Sequence, residues 1–316
     1  MSAPHDFVIE NGVLKRYTGS DEEVVIPGSV TIIGEMAFEG CVSLVKVHIP
    51  DSVTVIDDLA FCGSNLISVN IPDSVTIIGE LAFSSCTSLT SVHIPDSVAT
   101  IGAEVFAGCS NLTSVHIPGS MTIIGNGAFA ECTSLTEVHI PGTVTKIGDR
   151  AFCGCTSLTS IHIPDGVTTI AEWAFAECTS LTSVHIPDGV TEICNGAFAE
   201  CTSLTEVHIP NGVTEIGKKA FAECTGLTEL HIPGTVTEIG DRAFCGCTSL
   251  TSIHIPDGVT TIGEMAFDGC DLYSAYIPAS VTQIGLCAFR GSPFLTIDVP
   301  KGSVAAEYVK ERNRNW

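Results

Sequence analysis

The stretch LTSIHIPDGVTTIAEWAFAECTS, from Leu158 to Ser180, is the unit from which most of this chain is built. Phenylalanine shows the period, because it recurs about every 23 residues, at positions 38, 61, 83, 106, 129, 152, 175, 198, 221, 244, 267 and 289. A fixed period of this length is typical of a solenoid, in which each repeat stacks on its neighbours. We therefore predict a single array of about twelve repeats.

Within the unit, two short extended segments joined by turns fit the spacing of apolar residues better than a helix does. Ile161 and Ile163 flank His162, which is the alternation of a strand with one buried and one solvated face. Pro164 lacks an amide donor, and the Asp-Gly dipeptide after it favours a turn. The chain then returns, and Phe175 is expected to fill the interior.

The pattern LxxIxIPxxVxxIgxxAFxxCxx resembles the BspA-type, or Treponema-type, leucine-rich repeat, and it covers essentially the whole chain. The resemblance implies a right-handed leucine-rich repeat solenoid with a parallel β-sheet on its inner face and irregular turns outside. It also implies non-enzymatic roles in adhesion and protein recognition, without naming a ligand.

The two ends of the chain depart from the repeat and are predicted to be caps of one continuous domain. Residues 1–23 form an N-terminal hairpin cap, in which Asn11-Gly12 favours a type I′ turn. Residues 24–300 form the repeat array, and 301–316 form a C-terminal helical cap whose first amides Ser303 can bind. The side chains expected to face the last repeat are Val304, Tyr308 and Val309.

Composition excludes several classes of partner. The net charge is −23, so phosphate backbones and anionic lipid surfaces are repelled, and we predict no nucleic-acid partner. No apolar run approaches the roughly 18 residues of a membrane span, so no membrane insertion is predicted. The acidity itself indicates either solubility of an extended surface or attraction of basic partners.

Two lines of reasoning about location disagree. The start, MSAPHDFVIENGV, has no basic segment followed by an apolar one, so we expect no secretory signal. That absence and a set of reduced cysteines favour the cytoplasm, whereas the family resemblance implies the cell surface. Both locations stay open, as does the oligomeric state.

Ten of the fifteen cysteines fall in one column of the repeat, at positions 41, 86, 109, 132, 155, 178, 201, 224, 247 and 270. Neighbouring strands of a sheet lie about 4.8 Å apart, a separation that does not by itself forbid disulfides. Parallel side chains that point into a packed core are nevertheless poorly placed to pair. We expect buried, reduced thiols that act as small hydrophobic side chains.

Histidines form the most distinctive external column and are the predicted ligand-binding residues: His93, His116, His139, His162, His185, His208, His231 and His254. The residue two positions earlier lies on the same face and is Ser or Glu; the glutamates are Glu137, Glu206 and Glu229. Three interpretations stay open, namely a copied solvent-facing residue, an adaptable surface for a protein or glycan, and a row of transition-metal ligands. No cofactor and no defined metal site is predicted.

Catalysis finds no support in the sequence. Ser, His and Asp recur at equivalent positions of a ladder, whereas a catalytic triad needs unlike groups that converge on one point. The Ile-Gly pairs are single turn glycines and form no phosphate-binding loop. We therefore predict a recognition protein rather than an enzyme. Trp173 stands alone in its column and is either a surface aromatic or an interface anchor.

Overall fold

The computed structural model describes residues 6–315, with side chains described as far as Lys310. The chain forms two compact units, the first ending at Leu158 and the second beginning at Thr159. Both units are parallel β-solenoids whose repeats contribute short strands to two ladders, which confirms the predicted repeat fold. Residues 1–5 and 316, which belong to the predicted caps, lie outside the described residues. The predicted domain boundaries and the continuity of the array stay predictions.

The first unit contains two ladders of short parallel strands. Three-residue strands form one sheet, with the members β3 (Glu23–Val25), β5 (Lys46–His48), β7 (Ser68–Asn70), β9 (Ser91–His93) and β10 (Ser114–His116). Two-residue strands form the second ladder, with the members β4 (Ile32–Ile33), β6 (Val55–Ile56), β8 (Ile77–Ile78), β11 (Ile123–Ile124) and β12 (Lys146–Ile147). Isolated bridges, including Ile78 with Ile101, continue the second ladder between β8 and β11.

The second unit repeats this plan. Its three-residue strands are β13 (Ser160–His162), β15 (Ser183–His185), β17 (Glu206–His208), β19 (Glu229–His231), β21 (Ser252–His254), β23 (Ser274–Tyr276) and β25 (Thr296–Asp298). Its two-residue strands form one six-stranded sheet of β14 (Thr169–Ile170), β16 (Glu192–Ile193), β18 (Glu215–Ile216), β20 (Glu238–Ile239), β22 (Thr261–Ile262) and β24 (Gln283–Ile284).

An N-terminal hairpin closes the first unit. Strands β1 (Phe7–Glu10) and β2 (Val13–Tyr17) pair antiparallel, and the turn residues Asn11 and Gly12 have φ of +50° and +81°, the positive values that a type I′ turn requires. Strand β2 then pairs with β4, so the hairpin extends the ladder of two-residue strands. The buried ring of Tyr17 lies 5.3 Å from that of Phe38 and covers the end of the core.

In each unit the core is a column of phenylalanine rings. All twelve are fully buried, as the period predicts. In the first unit the rings of Phe38 and Phe61 stack at 4.9 Å, and in the second those of Phe175 and Phe198 stack at 5.4 Å. Offset stacking of aromatic rings adds to the free energy of burial, so each ring supports the repeat on either side of it.

The cysteine column lies beside the phenylalanines, and none of the fifteen cysteines forms a disulfide. Nine of the ten column members are buried as predicted, whereas Cys41, in the first repeat, is half-buried. Burial raises the pKa of the Cys132 thiol to about 12, so this side chain stays neutral. Two serines that the sequence analysis did not place in this column, Ser64 and Ser292, fill it in the repeats without a cysteine. Ser64 Oγ lies 3.3 Å from Cys86 Sγ.

The turns between the strands contain hydrogen bonds both within a repeat and between repeats. The N–H of Val167 donates to the Pro164 carbonyl at 3.0 Å, which closes the expected turn. Further along, the N–H of Phe61 donates to the Ala82 carbonyl of the next repeat at 2.8 Å. Residues two positions before phenylalanine have positive φ, for example +56° at Trp173. Non-glycine residues adopt such values rarely, and here bonds between repeats hold them.

The helix α1 (Val304–Asn315) follows the last strand. The N–H of Ala306 donates to Ser303 Oγ at 3.2 Å, which confirms the predicted cap. The ring of Tyr308 meets that of Phe289 edge-on at 6.2 Å. The prediction for Val304 is wrong: it is 44% exposed and Ala305 is buried instead. The apolar stripe runs through positions 305, 308 and 309, which share one side of a helix.

Candidate functional site

The histidine face is the solvent-exposed surface of the three-residue strands. In a typical strand the central side chain is buried and the two outer ones are exposed, as in Ser160, Ile161 and His162 of β13. Parallel pairing keeps equivalent residues opposite each other, so Ser160 lies beside Ser183, and His162 beside His185. All eight predicted histidines and the three predicted glutamates are exposed, because they occupy the outer positions of this three-residue pattern.

Neighbouring imidazoles on this face are stacked. In the first unit His93 and His116 stack at 4.6 Å, and an isolated bridge places His139 beside His116. In the second unit His162 stacks on His185 at 5.8 Å. Further along the second unit, the pair His208–His231 stacks at 5.9 Å and the pair His254–Tyr276 at 4.7 Å. The structure thus brings the predicted histidines together within each unit, in rows that the repeat register sets.

A groove of about 540 Å³ opens on the histidine face of the second unit. Its floor consists of the central residues Ile161, Val184, Val207 and Leu230, and its walls include Ser183, His185, Glu206, His208, Glu229 and His231. Among the described residues, hydrogen-bonded pairing joins β13 to β15 and β17 to β19 but does not join β15 to β17. The groove lies across β15 and β17, just after a backbone hydrogen bond from the Thr205 N–H to the Thr182 carbonyl at 3.4 Å.

Two carboxylates give the groove its charge. Glu206 and Glu229 lie in register on paired strands, and within the described part of the chain neither one forms an ion pair. Like charges placed opposite each other are unfavourable, so a cation or hydrogen-bond donor between them would be stabilised. The neighbouring imidazoles can donate or accept hydrogen bonds. The groove is therefore suited to a partner that presents basic or hydroxyl groups.

The first unit holds a polar cluster that the sequence analysis missed. Glu23 Oε1 lies 2.7 Å from His48 Nε2 and 3.1 Å from Lys46 Nζ. The hydrogen bond from His48, followed by that from Lys46, lowers the pKa of the Glu23 carboxyl. The signal was present in the sequence, because Glu23 occupies the Ser/Glu column two residues before Val25. It was not recognised because Val25 replaces the histidine of that repeat.

The geometry offers little to a metal ion. No group of three or more His, Cys, Asp or Glu side chains converges on a metal position in residues 6–315. Stacked parallel rings such as His162 and His185, with planes 3° apart, direct their nitrogens side by side rather than toward one point. A tetrahedral site needs three or four converging ligands.

The fold and this face define a leucine-rich repeat protein, a class in which stacked short repeats present an extended recognition surface. The chain belongs to the BspA-type leucine-rich repeat family, whose profile matches residues 9–136, 122–249 and 168–296. This family typically consists of non-enzymatic recognition proteins. No helix in the described part of the chain is long and apolar enough to cross a membrane.

Solved structures agree with this assignment. A leucine-rich cell-surface protein from Faecalibacterium prausnitzii is 32% identical over 96% of this chain and 94% of its own, with a TM-score of 0.64. A leucine-rich repeat protein from Bacteroides ovatus is 31% identical over 92% of this chain and 87% of its own, with a TM-score of 0.69. The pneumococcal vaccine antigen PcpA shares the fold at 19% identity, covering 89% of this chain and 69% of its own, with a TM-score of 0.56. Among proteins of curated function, none matches the chain significantly.

Proposed function

We propose that this chain is a non-enzymatic recognition module that binds a protein or glycan partner through its histidine face, in the manner of an adhesin. The observation that carries the proposal is the groove between His185, His208 and His231, with the unpaired carboxylates Glu206 and Glu229 in its wall. Exposed polar groups on a rigid ladder bind a ligand with little loss of conformational entropy. A relative described as a cell-surface protein supports a role in adhesion.

A direct test removes the groove's polar groups and measures binding to immobilised matrix proteins and to a glycan array. The variant carries His185→Ala, His208→Ala, His231→Ala, Glu206→Gln and Glu229→Gln. We expect every ligand bound by the unaltered chain to lose at least tenfold in affinity, or about 1.4 kcal/mol, since the few central residues that dominate an interface cost about 2 kcal/mol or more when truncated. If all ligands stay bound with unchanged affinity, the histidine face is not the binding site.

A matched control lies in the same repeats on the other ladder. Glu192, Glu215 and Glu238 are exposed and aligned in register on β16, β18 and β20. Replacing these three by Gln removes charge from the second unit without touching the groove. Binding through the histidine face should survive this change, and a loss of binding with the control would point to net charge instead.

An intracellular interaction scaffold is the second candidate, and the observation that favours it is that none of the fifteen cysteines forms a disulfide. Fractionation of producing cells, together with labelling of intact cells by a membrane-impermeant reagent, separates the two candidates. Recovery of the chain at the surface supports the adhesin, and recovery only in the cytosol contradicts it. The third hypothesis, a metal-binding histidine ladder, finds no converging ligands among the described residues and is not proposed.

A further inference from the structure

A second cleft, of about 410 Å³, lies on the turn surface of the second unit, away from the histidine groove. It is formed where the chain leaves the two-residue strands, at the positions two and three residues before phenylalanine in successive repeats. Its lining includes one aromatic side chain, Trp173, and charged side chains of both signs. A volume of this size falls in the range of small-molecule sites.

Three of the eight lysines and arginines of the second unit line this cleft. Between residues 151 and 289 the sequence contains only three lysines or arginines, Lys218, Lys219 and Arg242, and all three line the cleft. The chain as a whole carries a net charge of −23. Because exposed charges more than about 8 Å apart are largely screened at physiological salt, acidic side chains elsewhere on the chain have little effect on an anion bound in this cleft.

The ring of Trp173 occupies space that is open because the next repeat has a glycine. A Cβ atom added at Gly196, the equivalent position one repeat later, would lie 2.5 Å from the indole ring, so the ring occupies the space that any other residue would need. Lys219 occupies the same position one repeat further, and its Nζ lies over the ring at 5.9 Å from the centroid. This is the outer limit of a cation–π contact, and the flexible lysine stem lets the ammonium group move.

Some polar side chains of the cleft are hydrogen-bonded or ion-paired to other protein groups, and others can bind a ligand. Asn195 is engaged twice, since its Nδ2 donates to Glu172 at 2.9 Å and its Oδ1 accepts from the Lys218 N–H at 2.9 Å. Lys218 Nζ forms a salt bridge with Asp241 at 3.0 Å. Within the described part of the chain, Lys219 and Arg242 form no ion pair. Lys219 therefore lies over the ring, and Arg242 occupies the next position of the same column.

We propose that this cleft binds an acidic saccharide, a pyranose bearing one carboxylate, with the sugar ring stacked on Trp173 and the carboxylate held by Lys219 and Arg242. An aromatic face packs against the apolar C–H face of a pyranose, and a guanidinium binds a carboxylate in bidentate fashion.

The same residues disfavour a more highly charged ligand. Three carboxylates, Glu172, Asp241 and Glu264, line the cleft together with the three cations, so the lining is close to neutral. A polyphosphate or a polysulfated chain would place several anions near those carboxylates, and like charges at short range repel. The cleft thus matches a single negative charge on a hydroxyl-rich ring.

The test uses the full chain carrying Trp316→Phe, which leaves Trp173 as the only tryptophan. Glucuronic acid is titrated while the tryptophan emission is recorded, and glucose, acetate and adenosine monophosphate are titrated in parallel. We expect a saturable change with glucuronic acid that is at least tenfold tighter than with glucose or acetate, one such factor corresponding to about 1.4 kcal/mol. Equal affinity for glucuronic acid and acetate, or tighter binding of adenosine monophosphate, would overturn the proposal.

Variants read by calorimetry complete the test. Trp173→Ala should abolish measurable binding, and Lys219→Ala with Arg242→Ala should reduce the affinity for glucuronic acid to that for glucose. Met265→Ala changes the same column at the same backbone conformation, with φ of +55°, outside the cleft lining, and should bind normally. The variant of the histidine groove should also bind normally, which keeps this site separate from the proposed recognition face. Retained binding by a folded Trp173→Ala chain would contradict the proposal.

Discussion

The thiol of Cys224 donates a hydrogen bond to the carbonyl oxygen of Phe198, one repeat earlier, at 3.2 Å. The N–H of Cys201 donates to the same oxygen at 3.4 Å, so both lone pairs of a buried carbonyl are used. The relationship recurs in other repeats, for example between Cys109 and Phe83. Cysteine suits this position because it is small, apolar enough to be buried, and still a weak donor.

Removing this thiol should cost stability. Cys224→Ala deletes one hydrogen bond and leaves a small cavity, for which we expect a loss of about 1 to 2 kcal/mol in the free energy of unfolding. Urea unfolding followed by circular dichroism measures it. Cys62→Ala, at a half-buried thiol, is the control and should cost less. Equal losses for the two variants would show that the bond to Phe198 contributes nothing.

Burial should also decide which thiols react. Alkylation of the native chain with iodoacetamide at pH 8, followed by mass spectrometry, should modify the six half-buried cysteines first, at positions 41, 62, 153, 194, 245 and 287. The nine buried cysteines should react only after unfolding in urea, since thiolates are the reactive species and burial disfavours them. Fast labelling of Cys109 or Cys224 in the native chain would contradict the core described above.

The buried thiols should make the fold sensitive to alkali. Burial raises the pKa of the Cys86 thiol to about 11 and that of Cys224 to about 12, from an ordinary value of 9.0. Above pH 9 the unfolded chain therefore loses these protons while the folded chain keeps them, so stability falls as pH rises from about 9 through 11 to 12. The slope is about 1.4 kcal/mol per pH unit for each such thiol.

Thermal unfolding at half-unit steps from pH 7 to 10.5 measures this dependence. The midpoint should stay level to about pH 8.5, half a unit below the ordinary pKa, and then fall. A chain with Cys86→Ala and Cys224→Ala should show a shallower decline. A level midpoint up to pH 10.5 would mean that the thiols ionise alike in both states.

The phenylalanine column provides the sharpest test of the core. Phe175 is fully buried and stacks on Phe198, so Phe175→Ala should cost about 3 to 5 kcal/mol. Phe294 in the same unit is 76% exposed, and Phe294→Ala should change stability by no more than about 0.5 kcal/mol. Differential scanning calorimetry compares the two variants, and similar transitions for both would show that the core is misplaced.

The site was predictable in part. The column of histidines, the Ser/Glu column and their exposure follow from strand alternation, and the structure places them as expected. The cluster of Glu23 with His48 was missed because the first repeat lacks its own histidine. The cleft at Trp173 was missed as well, although the aromatic was noted, because nothing in the repeat pattern indicates that its ring lies over Gly196.

The sequence by itself determined that this chain is an array and which residues share a column, because a 23-residue period fixes the register of every strand. Only the tertiary structure decided which members of a column touch and what they leave open. The groove is lined by side chains of four neighbouring strands, and Trp173 fills the space left by a glycine one repeat later. The physical reason is that contact between columns depends on side-chain rotamers and on small differences in strand spacing, which a periodic pattern does not encode.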